Sequence, residues 1–191
     1  MNAEIIQHME RPHMMQQHLA DFLQRQVPGA THETAWDDGH LPLYVTSYLS
    51  DELPPLDMIT SVRALVFREG EVLVVRDPGN VHITPGGRRE ADETLLETLR
   101  REVLEETGWH LENTITQLGF FHFHNLNPSH PFARPDFLQM IYTAQASHYE
   151  AGAKEVNGYE LGSEFRPLAE VQQLPLSEGE RLFLRAALAQ R

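Results

Sequence analysis

A chain of 191 residues suits one domain with an appended segment, since single domains usually run to roughly 100–200 residues. Its 15 basic and 28 acidic residues leave a formal net charge of −13, which repels nucleic-acid backbones unless basic groups cluster, and no such cluster is visible. Cysteine is absent, which excludes a disulfide framework, a thiolate zinc site and a cysteine nucleophile, and favours the cytoplasm.

A small anionic substrate stays compatible with this charge, because a bound divalent cation reverses the sign of the field at its site. Met1 to Glu10 hold Ile5-Ile6 but no apolar run of signal-peptide length, and nothing later approaches the ~20 apolar residues of a membrane span. The chain is read as soluble.

From Ala3 to Gln26 the apolar residues recur at three- and four-residue steps, which predicts a helix interrupted at Pro12 and ended by Val27-Pro28-Gly29. The stretch up to Pro54-Pro55 mixes turn residues with one apolar run, Leu41 to Leu49, that has the composition of a strand. Residues 1–55 are therefore expected to form a helical and extended segment that packs on the core or joins two copies in a homodimer. Residues 56–191 are expected to form the main domain.

In that domain, apolar and β-branched residues predict strands over Met58 to Phe67 and Val72 to Val75 around a Glu69-Gly70 hairpin, and a third through Val81-His82-Ile83. Pro85-Gly86-Gly87 breaks the chain before a helical pattern that starts near Glu93 and stops at Gly108. Strands over Ile115 to His124 and Phe137 to Ala146 flank a proline-rich loop. A short strand near Phe165 and a helix from Glu178 to Ala189 complete an α+β pattern in which helices cover a mixed sheet.

At roughly 100° per residue, Leu95, Leu96, Leu99 and Val103 share one helical sector, which is read as the core face. Glu102, Glu105 and Glu106 occupy the adjoining sector, with Glu106 at the apolar border and so the least hydrated of the three. Carboxylates at this spacing repel, and each like-charge pair costs a few tenths of a kcal/mol even when exposed. Oxygen ligands of this kind suit Mg²⁺ or Mn²⁺, which turns repulsion into coordination.

For an arbitrary Glu-Glu pair the ordinary reading is a solvated acidic face. The wider spacing changes that reading. Gly87, five residues, Glu93, seven residues and then Arg101-Glu102-Val103-Leu104-Glu105-Glu106-Thr107-Gly108-Trp109 resembles the Nudix box, with every fixed position filled. The resemblance is strong over Gly87 to Trp109, extends to the order of elements from about Met58 to Leu168, and does not reach the first 55 or so residues. Asp92, where many members have glycine, and Ile83-Thr84, where an aromatic or leucine is commoner, depart from the family pattern outside the fixed positions.

This resemblance implies a Nudix-type α/β/α sandwich with a mixed central sheet plus an N-terminal helical extension. It also implies a MutT-like pyrophosphohydrolase that splits a phosphoanhydride in a nucleoside diphosphate linked to another moiety. Glu102, Glu105 and Glu106 would hold divalent ions, with Glu102 also a candidate base for the attacking water. Arg101 and Glu93 would form a salt bridge that fixes the helix against its entry loop, and Gly86-Gly87 would let backbone approach metal or phosphate closely. Two other readings share the fold. An isopentenyl-diphosphate isomerase needs a cysteine that this chain lacks, and a non-catalytic nucleotide sensor typically loses box carboxylates that are all present here.

Fainter signals lie outside the box. Glu160 matches a loop position where many members place another acidic ligand or base, with Glu155 and Glu164 as rivals. Arg76, Arg88 and Arg134 are candidate phosphate contacts without a motif behind them. His122 and His124 alternate with Phe121 and Phe123, so both point to one side of a strand, where a plain surface role outweighs metal or phosphate binding. The loop Asn125 to Asp136 has the place of a specificity loop. His8, His13 and His18 do not share a helical face and are read as surface.

Overall fold

A computed structural model of the chain describes residues 14–127, 129–130, 134–155 and 160–190. The expected helix from Ala3 is seen from residue 14, as α1 over residues 14–23; its earlier part, with His8, Pro12 and His13, lies outside the described residues. Next come β1 (Pro28–Trp36), β2 (Leu41–Leu49), β3 (Ile59–Arg68), β4 (Glu71–Asp77), β5 (Asn80–His82), β6 (Gly86–Arg88) and α2 (Leu95–Thr107). After α2 the chain runs through β7 (Trp109–Asn125), β8 (Asp136–Tyr149), β9 (Gly162–Pro167), α3 (Leu168–Val171) and α4 (Glu178–Ala189).

The strands form one mixed sheet in the order β1-β2-β7-β8-β3-β4-β5, with β6 paired to β3 and β9 to β4. All pairings are antiparallel except β3 with β8. Successive side chains alternate between the faces and separate two cores. Val62, Ala64, Val66, Phe120 and Met140 pack with Leu19 and Phe22 of α1 and with Leu99 and Val103 of α2. Leu65, Phe67, Phe121 and Ile141 pack with Val171 of α3 and with Phe183 and Leu184 of α4. Helices thus cover both faces of the sheet.

Four expectations need correction. Residues 28–36 form a strand although no apolar alternation announces it: the half-buried positions include His32 and Thr34, and β1 is an edge strand paired only with β2. Strand β7 begins at Trp109, because register shifts between Trp109 and Leu111, and again between Leu111 and Ile115, break the alternation that marks a strand in sequence. Leu96 is 41% exposed, and buried Thr98 takes a place on the core face beside Leu99. The helix starts at Leu95, not near Glu93, because Thr94 forms a capping box with Glu97.

Leu99 and Val103 are fully buried, each stabilising the attachment of α2 by roughly 1.5–3 kcal/mol. Gly108, at φ 77°, ends the helix in the left-handed conformation and returns the chain into β7. The helix is therefore pinned at both ends, and its acidic face is presented to β6.

Candidate active site

The entry loop of α2 is tied down by one arginine. Arg101 donates from Nε to Glu93 Oε1 at 2.6 Å and from Nη2 to Glu93 Oε2 at 2.9 Å, and the Thr98 hydroxyl adds a bond to Glu93 at 2.8 Å. These donors hold the Glu93 carboxyl at about 2, below the usual carboxylate range. The same guanidinium donates from Nη1 to Glu102 Oε1 at 2.9 Å and to Glu105 Oε2 at 3.0 Å, and from Nη2 to the Arg88 carbonyl at 3.3 Å. One cation thus orders the loop and balances two of the three box acids.

Glu106 turns the other way. Its Oε2 accepts from the Gly86 amide at 2.8 Å, and burial pushes its carboxyl up to about 7, against the pull of Arg63 and that amide. Burial also raises Glu102, while Arg101 draws it down. Glu102 and Glu105 accept from Arg101, while Glu106 bonds the Gly86 amide and Glu102 Oε2 also lies against Gly87.

Strand β6 comes so close because its glycines have no side chains. A Cβ on Gly87 would lie 2.1 Å from Glu102 Oε2, and one on Gly86, whose φ is 134°, would lie 2.3 Å from the Val62 carbonyl oxygen. The donor set of three carboxylates beside open backbone is all oxygen and fits a hard divalent cation.

The cleft beyond these acids contains residues that sequence reasoning did not single out. Arg63 of β3 donates to the Thr84 carbonyl at 2.9 Å, and its charge acts on Glu106, Glu102, Asp77 and His82. An arginine set between the apolar residues Val62 and Ala64 of the strand was the available signal. Burial, then Arg63, lowers His82 to about 4, so its 3.3 Å contact with Asp77 is made by a neutral imidazole and is not an ion pair. Burial, then the charge of Glu160, raises Asp77. Trp36, Gln139 and His32 also line the cleft, and nothing in their local sequence marked them.

The fainter candidates separate in space. Glu160 enters the cleft and faces Glu106 and Asp77, whereas Glu164 pairs with Arg166 and the Glu155 amide donates to the Glu105 carbonyl. Arg88 and Arg134 line the cleft, but Arg76 lines a separate small hollow with Glu164 and Arg166. His122 and His124 both bond Asp136 Oδ1, at 2.8 and 3.0 Å, which holds that carboxyl below its usual range despite the opposing effect of burial. Part of the loop between β7 and β8 lies outside the described residues; His130 ties the described part to Asp37 at 3.0 Å. Away from the cleft lining, His110, His148 and Glu150 place ligand-type atoms within 4.8 Å of one another on the β7–β8 ladder.

The two-faced sheet and the acidic helix against a glycine strand belong to a hydrolase acting on acid anhydrides, as the family match shows. The NUDIX domain model matches residues 58–187, and the chain belongs to the Nudix family, which generally uses divalent metals. No curated protein matches it in sequence.

Among solved structures, it is similar to a pyrophosphohydrolase of Bacillus subtilis at 18% identity and TM-score 0.58, covering 83% of this chain and 97% of that one. A NUDIX hydrolase of Nitrosomonas europaea is similar at 18% identity and TM-score 0.55, covering 69% and 90%. The NUDIX domain of NrtR from Shewanella oneidensis, complexed with ADP ribose, is similar at 25% identity and TM-score 0.51, covering 70% and 88%. The first two likenesses show the fold. Among the described residues no helix is long and apolar enough to cross a membrane.

Proposed function

We propose that the chain hydrolyses the phosphoanhydride bond of a nucleoside diphosphate linked to another moiety, with Mg²⁺ or Mn²⁺ held by Glu102, Glu105, Glu106 and the Gly87 backbone. The observation that carries this reading is the approach of the acidic face of α2 to Gly86-Gly87, at the mouth of a cleft lined by Arg63. The NrtR domain having been crystallised with ADP ribose supports a ligand of that general kind.

A bound divalent cation supplies charge neutralisation and an activated water. The chain supplies position. Glu93 and Arg101 hold the loop before α2, and the Gly86 amide orients Glu106. Glu102 or Glu160 takes the proton of the attacking water. Arg63 and Arg88 face the phosphates; no described acid pairs with the Arg88 guanidinium.

Residues 1–55 are read as a packing segment, since β1 and β2 extend the same sheet, and the free edge of β1 is the surface through which a homodimer forms. A small-molecule substrate, a cytoplasmic location and no nucleic-acid polymer complete the reading. The test is release of phosphate or nucleoside monophosphate from a panel of diphosphates with Mg²⁺, with and without chelator. Turnover that a chelator leaves intact, or no turnover of any member, overturns the proposal.

A further inference from the structure

The cleft has two lobes of opposite character that meet at Trp36, Arg63 and Gln139. The first, about 590 Å³, takes in Arg63, Arg88 and Arg134 with the rings of Trp36 and Phe137, and its described lining contains no acidic side chain. The second, about 450 Å³, takes in Asp77, Glu106, Glu160 and Glu180, with Arg63 as its lone arginine or lysine among the described lining. Each lobe has the size of a small-molecule site.

In the first lobe, Trp36 is braced by Phe123 at 5.1 Å and Phe137 at 5.7 Å between ring centroids, yet stays 42% exposed. A braced, half-open indole beside arginines suits a planar aromatic ring attached to a phosphate. The second lobe repels further anions. It also holds two buried atoms without a hydrogen-bond partner, His32 Nδ1 and Asp77 Oδ1, and buried polar atoms of this kind gain from ligand hydroxyls, which both donate and accept.

We infer that the substrate is two-armed: its nucleobase stacks on Trp36 in the basic lobe, its diphosphate spans the box acids, and an uncharged, hydroxyl-rich group occupies the acidic lobe. The inference rests on the proposed hydrolysis and adds the identity and place of each arm. In the reaction the water oxygen bonds to one phosphorus and the bridging P–O bond breaks. The bridging oxygen leaves on the other phosphate and the water proton passes to a carboxylate, so two phosphate monoesters result. A nucleoside triphosphate lacks the neutral arm and directs its charge toward Asp77 and Glu160. Trp36 and His32 lie on β1, outside the matched residues 58–187, so the stacking face and one of the unpartnered atoms come from the N-terminal segment, while Asp77 and Glu160 lie within the matched residues.

The two products, a nucleoside monophosphate and a sugar phosphate, are added together and singly as inhibitors of the full-length enzyme turning over a nucleoside diphosphate sugar with Mg²⁺. Occupation of separate lobes makes their inhibition mutually non-exclusive, and Trp36→Ala weakens the nucleoside monophosphate about tenfold while the sugar phosphate changes less than about twofold. Nucleoside monophosphate also quenches tryptophan fluorescence in the parent and not in Trp36→Phe, a readout that needs no turnover. Mutually exclusive products, equal loss of both in Trp36→Ala, or a nucleoside triphosphate preferred over the diphosphate sugar overturns the inference. Absence of turnover with quenching intact overturns the hydrolase reading and leaves the assignment of the base to Trp36 standing.

Discussion

The two ends of α2 use the same side chain for opposite purposes. Glu93, at the entry, is surrounded by donors and held at about 2, while Glu106, next to the last residue of the helix, is buried and pushed up to about 7. A satisfied carboxylate fixes structure, whereas one left short of positive charge is poised to take a ligand. The difference lies in the neighbours and not in the residue: Arg101 reaches Glu93 with two nitrogens, and Glu106 receives one amide.

The largest effect is expected at the poised end. Glu106→Gln keeps the shape and removes a charge, and kcat on the best diphosphate should fall by at least about 10³-fold with an unchanged circular dichroism spectrum. Activity within about threefold of the parent would break the comparison.

The two glycines of β6 separate structure from chemistry next. Gly86→Ala places a Cβ against backbone at a strained φ and should cost about 2–3 kcal/mol in urea unfolding. Gly87→Ala meets only the flexible end of Glu102, so activity should fall sharply with less than about 1 kcal/mol lost.

The ends should also answer pH in opposite ways. Glu106 is raised from an ordinary 4.5 to about 7, so the metal-free fold binds more protons than the unfolded chain between those values, and stability falls as pH rises through that window. The expected loss is on the order of 2 kcal/mol, reversed by added Mg²⁺ or Mn²⁺, and melting curves at pH 5 and pH 8 with and without chelator measure it. Glu93, lowered from 4.5 to about 2, stabilises above the ordinary value and loses that contribution as pH falls through about 2. The smallest effect is Glu93→Gln, which removes the charge from a part-buried pair and should cost about 1 kcal/mol in urea unfolding. A variant as stable as the parent would show that Arg101 is held by Glu102 and Glu105 instead.

The spacing from Gly87 to Trp109 made the helix, its glycine stop, its three acids and the Arg101–Glu93 pair legible before any coordinates, because a helix repeats at a fixed angle and each of these partners is near in sequence. The strands Leu41–Leu49 and Ile59–Arg68 and the helix Glu178–Ala189 were legible for the same reason, through apolar patterning. Strand β1 was silent, since His32 and Thr34 face a cleft rather than a core and leave no apolar alternation.

Sequence by itself thus determined the family, the layered fold and the acids of α2. Only tertiary structure decided that Arg63, Asp77 and Trp36 meet at one cleft and that Glu160 joins them while Arg76 does not; helix geometry had already placed Glu106 at the apolar border, and tertiary structure set how far burial raises it. The reason is physical: burial and charge at a point are sums over neighbours brought together by sheet pairing, and those neighbours come from β1, β3, β4 and α2, far apart along the chain.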